Sequence, residues 1–525
     1  LLLPTIVFSC VANANQSSCK NPKPDTLPAV QEWAGGEGYF TLDKTVQIIL
    51  GNKDAEAVAQ TFAEDVQALT GNKLTVAAQH ELQGQKAAKT KKSPYVLFKL
   101  EKSAELGEEG YKLDIADNIT ISAATTKGLF YGTQTLLQML VQDAGQKSIA
   151  KGSIKDAPQV QTRTVMIDLG RKYFAMDYLK KTIRNLAWYK YNSIHLHFTD
   201  WNGFRLKSDK FPGLASPDAY SKADIRELQD YAKKYNIMII PEIDFPAHAT
   251  HVIRYKPELG FQCRSMNYGD WVKPEMLAKF FPDPELTIYN AGWILDVTKP
   301  VTRQFVKELL DEFIPLFDGP YFHIGGDEWQ FDDQKEECPE LMAYTKKNGL
   351  KYPGDVFVEW INEVNQQVKS YGKTTQIWNW WSYNSPTNGK VNKSSISPDK
   401  DIVINVWNKI QEEEILASGY KIVSTTETGA DALYLTPGLL GQKPGDYGYF
   451  DNQFIYEQWT PMVHKNITGF KLSIWSDGAE DRKDEWYDRH ANKPKAVVAE
   501  RLWGKRDSAT LDEFTLRMTA VGEAP

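Results

Sequence analysis

The fold prediction for this chain rests on the regular alternation of eight short β-rich segments with amphipathic helical segments. DYLKKTIRNLAWYKYN and SKADIRELQDYAKKYN are two of the helical segments, since their apolar residues recur at the spacing of one helix face. The predicted strands are residues 164–170, 193–200, 237–244, 321–328, 374–380, 401–407, 421–426 and 470–477. Eight strands alternating with helices over about 350 residues predict an α/β fold, the (β/α)8 or TIM barrel.

Polar or aromatic residues end nearly every one of these strands. They are Asp200, Asp244, Asp327, Glu328, Trp378, Trp407 and Asp477. In a barrel the carboxyl ends of the strands converge on one mouth, where active sites form, whereas in a doubly wound open sheet they spread along an edge. No Gly-rich phosphate-binding motif follows the first strand, which opposes a nucleotide site. The sequence therefore favours the barrel and places a candidate active site at its mouth.

A smaller mixed α/β domain is predicted before the barrel. YVLFKL (95–100) has the composition of a strand, and GYKLDIADNITISAA alternates apolar and polar residues on both sides of DN, as a hairpin does. TKGLFYGTQTLLQML then shows helical spacing. This part of the sequence contains no catalytic cluster, so a structural role is expected. The predicted organisation is a leader and linker at 1–24, the smaller domain at 25–155 and the barrel at 156–525.

The first residues, LLLPTIVFSCVANANQ, resemble the end of a secretory signal and predict export. VFSC resembles a bacterial lipoprotein box with Cys10 as the lipidated residue, while ANA before Asn15 resembles an ordinary cleavage site. We expect a periplasmic or outer-membrane lipoprotein, or alternatively a secreted protein, attached to a membrane only through a lipid at Cys10. Further along, Cys263 and Cys338 either form a disulfide or stay free.

Charge and aromatic content narrow the class of partner. The net charge of −7 opposes a nucleic-acid or anionic-membrane partner, because like charges repel. The 15 tryptophans and 25 tyrosines suit a protein that stacks rings on the apolar faces of sugars, although packing in the core is their usual role. Trp378, Trp407 and Trp475 end three of the later strands, so together they predict an aromatic-walled pocket that fits a pyranose ring.

Two adjacent acids follow the fourth predicted strand, in HIGGDEW. Successive side chains of a strand point to opposite sides, so Asp327 and Glu328 are expected to face different surroundings. In PEIDFPAHA, His248 follows the acids Glu242 and Asp244. A histidine between two acids can orient them and control which one keeps its proton.

HLHFTDWNGFR raises a metal-site hypothesis, because His195 and His197 lie two apart and so face one side of a strand. Further ligands in a metallohydrolase would be Asp200, His248 and His323. The alternative interpretation is that His195 and His197 are hydrogen-bonded inside the barrel. Aromatic residues, rather than more histidines, occupy the other strand ends and favour this second interpretation, which predicts neither a metal nor a cofactor.

Five motifs in order resemble those of glycoside hydrolase family 20, the β-N-acetylhexosaminidases. They are RTVMIDLGRKYF, KYNSIHLHFTDWNGFRL, IPEIDFPAHA, HIGGDEW and LSIWSD. The resemblance runs from about residue 25 onward and includes the family's non-catalytic α/β domain. It implies retaining hydrolysis of a terminal β-linked N-acetylglucosamine or N-acetylgalactosamine from an oligosaccharide or glycoconjugate. The nucleophile in that family is the substrate's own 2-acetamido oxygen, which forms an oxazolinium intermediate.

The resemblance also implies residue roles. Glu328 matches the general acid/base, Asp327 the residue that orients the acetamide, and Tyr434 the tyrosine that binds the acetamide oxygen. Asp200 and His248 match the pair that adjusts the proton affinity of the acid/base. Trp378, Trp407 and Trp475 match the walls of the sugar pocket. Arg163 matches the arginine that holds sugar hydroxyls, with Asp168 and Arg171 at the family spacing after it.

Two positions depart from the family pattern. Thr436 stands where an aspartate is common, and Asp477 stands where a glutamate is common. Both positions contact hydroxyls on the far side of the sugar, so the outer pocket is expected to differ. A galactosyl group, as in the lacto-N-biosidase branch that releases Gal-β1,3-GlcNAc, and a 6-sulfate on N-acetylglucosamine are the two candidate substituents, whereas Arg163 suits an unextended sugar. The sequence leaves the sugar epimer, the linkage and the oligomeric state open.

Overall fold

The computed structural model describes residues 20–78, 93–267, 272–329, 338–379, 381–382, 392–505 and 508–525, so the leader with Cys10 lies outside the described residues. The chain divides into two compact units, of which the second is Val160–Leu502. The first runs to Gln159 and also includes Trp503–Pro525. The predicted barrel domain, which extended to residue 525, therefore ends earlier. The reason is that the helix Leu511–Val521 packs against the helix Thr126–Val141 of the first unit.

The first unit contains a seven-stranded mixed sheet. Its strands are β1 (Glu32–Thr41), β2 (Gln47–Leu50), β3 (Thr75–Ala78), β4 (Tyr95–Leu100), β5 (Tyr111–Ile115), β6 (Ile119–Ala123) and β7 (Ser148–Asp156). Their order is β1-β7-β5-β6-β4-β2-β3. The predicted strand at 95–100 and the antiparallel hairpin β5–β6 are confirmed. Alternate residues of β5 are buried, as the apolar–polar alternation requires.

Two helices pack against this sheet in the first unit, Glu56–Thr70 and Thr126–Val141. The second was predicted from its apolar spacing, and it begins where the Thr125 hydroxyl accepts hydrogen bonds from the amides of Lys127 and Gly128. Because Thr125 itself has an extended backbone, it acts as the N-cap and sets the start of the helix.

The second unit is a closed barrel of eight parallel strands. The strands of this unit, including five short ones outside the barrel wall or attached to its edge, are β8 (Thr162–Asp168), β9 (Ser193–His197), β10 (Thr199–Asp200), β11 (Gly203–Phe204), β12 (Met238–Phe245), β13 (Tyr321–Gly325), β14 (Thr374–Trp378), β15 (Trp381–Ser382), β16 (Asn392–Lys393), β17 (Val403–Val406), β18 (Lys421–Ser424), β19 (Tyr434–Leu435) and β20 (Ile467–Ile474). The barrel strands follow the order β18-β17-β14-β13-β12-β9-β8-β20, and β18 pairs with β20 to close the ring. The predicted fold class is confirmed.

Helices cover the outside of the barrel strands. Their ranges are Met176–Trp188, Lys222–Lys234, Thr250–Tyr255, Pro274–Phe280, Pro300–Phe313, Pro339–Lys347, Pro353–Ser370, Glu412–Ala417, Asn452–Glu457 and Asp484–Trp503. Short 3-10 turns lie at Lys53–Ala55, Pro257–Leu259, Arg264–Met266, Ile314–Leu316 and Lys409–Gln411. Several of the helices begin with proline, whose missing N–H is tolerated in the first turn. None of the helices in the described part of the chain has the length and apolar character needed to cross a membrane.

Cys263 and Cys338 form a disulfide, with their Cα atoms 5.2 Å apart, which settles the choice between a bridge and two free thiols. Cys263 follows the loop after β12, and Cys338 directly precedes the helix Pro339–Lys347. The carboxylate Oε1 of Glu340 accepts hydrogen bonds from the amides of Gln262 and Cys263 beside the bridge. The disulfide thus connects the segments that follow the third and fourth barrel strands.

Candidate active site

The aromatic residues predicted to form a pocket meet at the carboxyl ends of the barrel strands. Trp378, Tyr434 and Trp475 form a buried cluster with Met166, and the partly buried Trp407 packs against it. The ring centroid of Trp475 lies 5.9 Å from that of Trp378 and 5.9 Å from that of Tyr434. Four residues from four different strand ends thus form one aromatic wall.

The backbone of HIGGDEW is bent sharply where β13 ends. Gly325 and Gly326 both have positive φ angles, of 74° and 96°. A Cβ atom on Gly325 would lie 1.7 Å from Oδ1 of Asp244, so only glycine leaves room for that carboxyl group. Glu328 itself has φ of 48°, a left-handed conformation that is uncommon for a residue with a side chain. His248, which contacts Glu328, has φ of 56°. Such strain in two contacting residues is typical of functional sites.

His248 joins the two adjacent acids to Asp200. Its Nε2 atom lies 3.3 Å from Oε2 of Glu328 and 3.6 Å from Oδ2 of Asp327. Its Nδ1 atom lies 3.0 Å from Oδ1 of Asp200. Burial opposes a positive charge on His248, but the carboxylates of Asp200 and Asp327 raise its pKa well above the ordinary value. The structure therefore brings together four of the predicted catalytic residues around a charged imidazole.

The carboxyl group of Asp327 titrates in a buried environment. Burial raises the pKa of Asp327 to about 6, with the charges of Glu328 and Glu242 adding to the effect and His248 opposing it. Asp327 is therefore ionised at neutral pH and becomes protonated below about pH 6.

Arg171, rather than Arg163, lies at the mouth of the barrel. Arg171 contacts three carboxylates at the mouth, with its NH1 atom 2.7 Å from Asp200 and 3.1 Å from Asp168. Its Nε atom lies 3.3 Å from Oδ1 of Asp477, and its guanidinium is 5.1 Å from the ring centroid of Trp475.

The predicted role of Arg163 in substrate binding is contradicted by its place at the amino end of β8. Its Nε and NH1 atoms donate to the carbonyls of Lys190 and Val160, each at 2.8 Å, so the guanidinium is held by backbone at the opposite end of the barrel. The rule that carboxyl ends carry the active site points to Arg171, because that residue follows the end of β8.

Thr436 does not line the pocket, although the family resemblance implied that this position contacts a sugar hydroxyl. Its side chain is fully buried, and its amide donates to the carbonyl of Gly448 at 3.0 Å. A Cβ atom on Gly448 would lie 2.1 Å from Oγ1 of Thr436, so the loop that contains Gly448 closes directly over the threonine. The same loop carries Tyr447, whose ring centroid is 5.9 Å from that of Tyr434.

Tyr447 and Asp477 form the outer part of the site. Tyr447 is 40% exposed, and burial and then the charge of Asp477 raise the pKa of its hydroxyl well above the ordinary value. Burial also raises the pKa of Asp477 to about 6, with Arg171 opposing. Sequence analysis did not identify Tyr447, because it lies in a long irregular loop with no periodic pattern.

Two further carboxyl groups at the site were not assigned roles from the sequence. Burial and then the charge of Glu328 raise the pKa of Glu427 to about 8, and the Glu427 amide donates to the carbonyl of Trp407 at 2.9 Å. Burial and then the charge of Asp327 raise the pKa of Asp244 well above its ordinary value. Among the described residues, neither oxygen of Asp244 has a hydrogen-bond partner, nor does Oδ1 of Asp327.

The histidines of HLHFTD bind a buried carboxylate. Oε2 of Glu242 lies 3.0 Å from Nε2 of His195 and 2.5 Å from Nδ1 of His197, while Oε1 accepts from Trp378 Nε1 at 2.6 Å. His195, Glu242 and His323 are close enough to share a metal ion. However, Nδ1 of His195 already contacts Nζ of Lys471 at 3.0 Å, and a second cation beside an ammonium group is unfavourable. The contacts fit the interpretation in which these histidines are hydrogen-bonded inside the barrel.

A closed (β/α)8 barrel with paired carboxyl groups and an aromatic pocket at its mouth defines a class of sugar-hydrolysing enzymes. The family model "Glycosyl hydrolase family 20, catalytic domain" matches residues 161–506, and its "domain 2" matches residues 23–157. The chain belongs to glycosyl hydrolase family 20.

Relatives of known identity agree with this assignment. The chain is 25% identical over 512 residues to a lacto-N-biosidase from Bifidobacterium bifidum, covering 95% of this chain and 42% of that protein. It is 24% identical over 533 residues to a beta-hexosaminidase from Porphyromonas gingivalis, covering 94% of this chain and 63% of that protein. It thus spans less than two thirds of either relative. The solved GH20 beta-N-acetylhexosaminidase of Streptomyces coelicolor A3(2) superposes with a TM-score of 0.70 at 25% identity, covering 96% of this chain and 97% of that one.

Proposed function

We propose that this protein is an exo-acting, retaining β-N-acetylhexosaminidase that uses the acetamido group of its substrate as the nucleophile. The observation that carries the proposal is the contact of His248 with both Asp327 and Glu328 beside the aromatic wall of Trp378 and Trp475. The substrate is a terminal β-linked N-acetylglucosamine or N-acetylgalactosamine of an oligosaccharide or glycoconjugate. The beta-hexosaminidases among its relatives support this choice.

In the first step Glu328 gives its proton to the glycosidic oxygen, and the bond from that oxygen to the anomeric carbon breaks. The acetamide oxygen forms a new bond to the anomeric carbon, which gives an oxazolinium ion. Asp327 accepts a hydrogen bond from the acetamide N–H and balances the developing positive charge. Since nucleophile and anomeric carbon belong to one molecule, holding them in position can be worth roughly 7–11 kcal/mol in the best cases.

In the second step the ionised Glu328 takes a proton from water as the water oxygen attacks the anomeric carbon. The bond to the acetamide oxygen breaks, and the sugar leaves with its original configuration. In this mechanism the hydroxyl of Tyr434 donates to the acetamide oxygen. Burial and the neighbouring groups raise its pKa well above the ordinary value, so the hydroxyl keeps its proton. General acid–base catalysis of this kind contributes typically about 10²- to 10⁴-fold.

The outer site favours an uncharged sugar substituent over a sulfate. Arg171 is surrounded by the carboxylates of Asp168, Asp200 and Asp477, so the local charge is not positive. An added 6-sulfate would meet these acids, whereas a neutral galactosyl group would meet hydrogen-bonding groups. Similarity to a lacto-N-biosidase also favours the release of Gal-β1,3-GlcNAc as the second candidate activity.

A panel of four substrates tests both candidates. We expect aryl β-GlcNAc or aryl β-GalNAc to give the highest kcat/KM, with an aryl lacto-N-bioside second and 6-sulfated aryl β-GlcNAc lowest. Turnover of the lacto-N-bioside alone would replace the first proposal by the second. A thiazoline analogue of the oxazolinium ion should inhibit, and absence of inhibition at millimolar concentration would contradict the assisted mechanism. Loss of activity after exhaustive chelation would instead support the metal-dependent alternative built on His195 and His197.

The proposed location is outside the cytoplasm, either through a lipid at Cys10 or by ordinary secretion. The support is the sequence of the leader alone. Growth of an expressing bacterium with labelled palmitate tests it, because only the lipoprotein route transfers label to the protein. A Cys10→Ser variant serves as the control, and label that persists in that variant would contradict lipidation at Cys10.

A further inference from the structure

A buried lysine lies inside the barrel beneath the candidate active site. Lys471 is on β20 and is 1% exposed. Its Nζ atom lies 3.0 Å from Nδ1 of His195 and 3.7 Å from the ring centroid of Trp378. The cavity that it lines, together with His195, Gln376 and Asn405, measures about 10 Å³. A space of this size holds about one water molecule, so the protein itself must stabilise the amino group.

An unbroken series of polar contacts connects this lysine to the mouth of the barrel. From floor to mouth the residues are Lys471, His195, Glu242, His197, Asp200, His248 and Glu328. The six contacts measure 3.0, 3.0, 2.5, 2.8, 3.0 and 3.3 Å in that order. All members except Glu328 are buried. We name this series the floor-to-mouth chain.

The first member of the floor-to-mouth chain sets the direction of its hydrogen bonds, while the His195–Glu242 and His248–Glu328 contacts lie at ion-pair distance. A lysine side chain has donors and no acceptor when charged, so Nδ1 of His195 must be the acceptor. The proton of a neutral His195 is then on Nε2 and points to Glu242, in agreement with burial and Lys471, which lower the pKa of His195 well below its ordinary value.

Both carboxylates that contact His197 accept hydrogen bonds from it. Glu242 receives Nδ1–H of His197, and Asp200 receives Nε2–H of the same ring, so His197 is an imidazolium. Burial opposes that charge, but Glu242 and Asp200 raise the pKa of His197 well above its ordinary value. Asp200 then receives Nδ1–H of His248, which leaves Nε2–H of His248 directed at Glu328.

We propose that Lys471 is a positioning residue, which fixes the proton on Nε2 of His195 and thereby the charge and orientation of His197 and His248 toward Glu328. The inference rests on the proposed function, since it concerns the same acid/base. It adds a residue from the floor of the barrel that touches no substrate. Nζ of Lys471 also lies over the ring of Trp378, within the distance of a cation–π contact.

Charged groups face Lys471 from several barrel strands. His195 comes from β9, Glu242 from β12, and His323 and Tyr321 from β13, with Asp327 beyond that strand. The other strands contribute uncharged groups to the cavity: Thr162, Thr164, Gln376, Val403, Asn405, Val423 and Thr468. Burial lowers the pKa of Lys471 well below its ordinary value, while Glu242 and Asp327 oppose that effect. The fixed direction of the first contact belongs to the ammonium form of Lys471, because an uncharged amino group can also accept from Nδ1–H of His195.

Removing the amino group of Lys471 should weaken the contacts of the floor-to-mouth chain, beginning with those of His195. Without a donor on Nδ1, His195 can turn its proton away from Glu242, which then binds a proton more strongly. The proton of His197 shifts toward Glu242, so His197 holds less positive charge. The pKa of Asp327 then rises, because the charge of His197 lowers it in the wild type.

The test is the pH profile of kcat/KM on an aryl β-GlcNAc for wild type, Lys471→Met and Lys471→Gln. For Lys471→Met we expect the acidic limb to move upward by about 0.5–1 pH unit, the neutral kcat to fall roughly 5- to 20-fold and KM to stay within about twofold. Lys471→Gln keeps a donor without a charge, so its profile should lie between the other two. Circular dichroism and thermal denaturation establish that each variant is folded.

Lys172→Met is the matched control. Lys172 is also buried, lies 4.3 Å from the ring centroid of Phe174 and pairs with Asp484 at 2.8 Å, but it is outside the floor-to-mouth chain. The inference is overturned if Lys471→Met keeps the wild-type profile, if it loses activity equally at all pH values, or if Lys172→Met shows the same shift. It is also overturned if neither Lys471 variant folds while Lys172→Met does, since Lys471 would then serve packing alone. A wild type without turnover would contradict the proposed function instead.

Discussion

Two buried carboxyl groups, one in each unit, differ in how fully the protein satisfies them. Asp156 in the first unit accepts hydrogen bonds from the hydroxyl of Tyr111 at 2.7 Å, from Nε1 of Trp503 at 3.0 Å and from the amide of Gln31 at 3.2 Å. Asp327 in the barrel has an oxygen, Oδ1, that no described residue contacts by a hydrogen bond. Burying an acceptor without a partner is costly.

This difference separates a carboxylate that stabilises the fold from one that is kept ready for a ligand. Oδ1 of Asp327, both oxygens of Asp244 and Oδ2 of Asp477 are all buried at the barrel mouth without a partner in the described part of the chain. The proposed acetamide N–H and sugar hydroxyls would supply the missing donors. The free energy lost by burying these oxygens is therefore regained when a ligand binds.

The largest effect is expected at the acids themselves. Glu328→Gln should lower kcat on a natural glycoside by roughly 10³- to 10⁴-fold and on an aryl glycoside with a good leaving group much less, because the latter needs little protonation. Asp327→Asn should lower both rates by about 10²- to 10³-fold, since a neutral amide would not balance the positive charge that develops on the acetamide. Single-turnover rates on the two substrates measure the difference. Wild-type rates for Asp327→Asn would refute the assisted mechanism.

Asp156→Ala should affect stability alone. It removes the carboxylate that accepts from the Tyr111 hydroxyl and the Trp503 indole N–H, and each buried hydrogen bond lost in this way costs about 1–3 kcal/mol. We expect the free energy of unfolding of the first unit to fall by roughly 2–5 kcal/mol, measured by urea denaturation with proteolysis as a second probe. The kcat of the folded protein should stay unchanged. A change in kcat without a change in stability would erase the distinction between the two kinds of carboxyl group.

Asp327 should show the opposite relation between charge and stability. Its pKa of about 6 in the folded protein lies above the ordinary 3.8, so its protonated form stabilises the fold. That contribution is complete below pH 3.8 and is lost as the pH rises through 6, with an upper limit of about 3 kcal/mol. Asp327→Asn should therefore raise Tm at pH 7.5 but change it little at pH 4.5. Equal effects at both pH values would show that the charge is not the cause.

Substitutions at the two arginines should have a smaller effect on the kinetics. Arg171→Met should reduce kcat/KM by roughly 30-fold, mainly through KM, because Arg171 is the cation at the sugar end of the site. Arg163→Met should leave KM unchanged and lower Tm, since Arg163 binds backbone carbonyls at the amino end of the barrel. Initial-rate kinetics on the aryl substrate separate the two. A raised KM in Arg163→Met would restore its predicted role.

The smallest effect is expected in the outer pocket. In Thr436→Asp, Asp477→Glu, the longer acid at 477 should crowd Arg171 and Tyr447, and we expect discrimination between an aryl β-GlcNAc and an aryl lacto-N-bioside to increase about fivefold. Asp477→Glu alone should give most of the change, because Thr436 is covered by the loop at Gly448. The ratio of the two kcat/KM values measures this, and an unchanged ratio removes Asp477 as a determinant of specificity.

Periodic features made the fold predictable. Each barrel strand has a short β-rich segment, and each predicted segment contains a strand, because buried parallel strands leave a clear apolar pattern. The hairpin at β5–β6 followed from simple alternation. The end of the barrel unit was placed too late, because the amphipathic helix Leu511–Val521 does not reveal in sequence which unit it packs against.

The candidate site was predictable where residues follow directly from strand ends. Asp200, Asp327, Trp378 and Trp475 meet at the mouth as the barrel geometry requires. Tyr447 reaches the site on an irregular loop, so no local pattern could place it. Arg163 was chosen through resemblance rather than through position, and position would have selected Arg171. The raised pKa of Glu427 depends on burial and on a charge distant in sequence, which no motif encodes.

The first unit is built from two separated stretches of chain, with the whole barrel inserted between them. During synthesis the ribosome therefore releases the start of this unit long before the stretch 503–525 that completes it. Until that stretch arrives, Asp156 lacks the indole donor of Trp503, and the helix Thr126–Val141 lacks the helix that packs on it. Domains usually fold as units in the order of their synthesis. In this chain the barrel segment is complete before the first unit has its last segment, so the barrel can finish folding first.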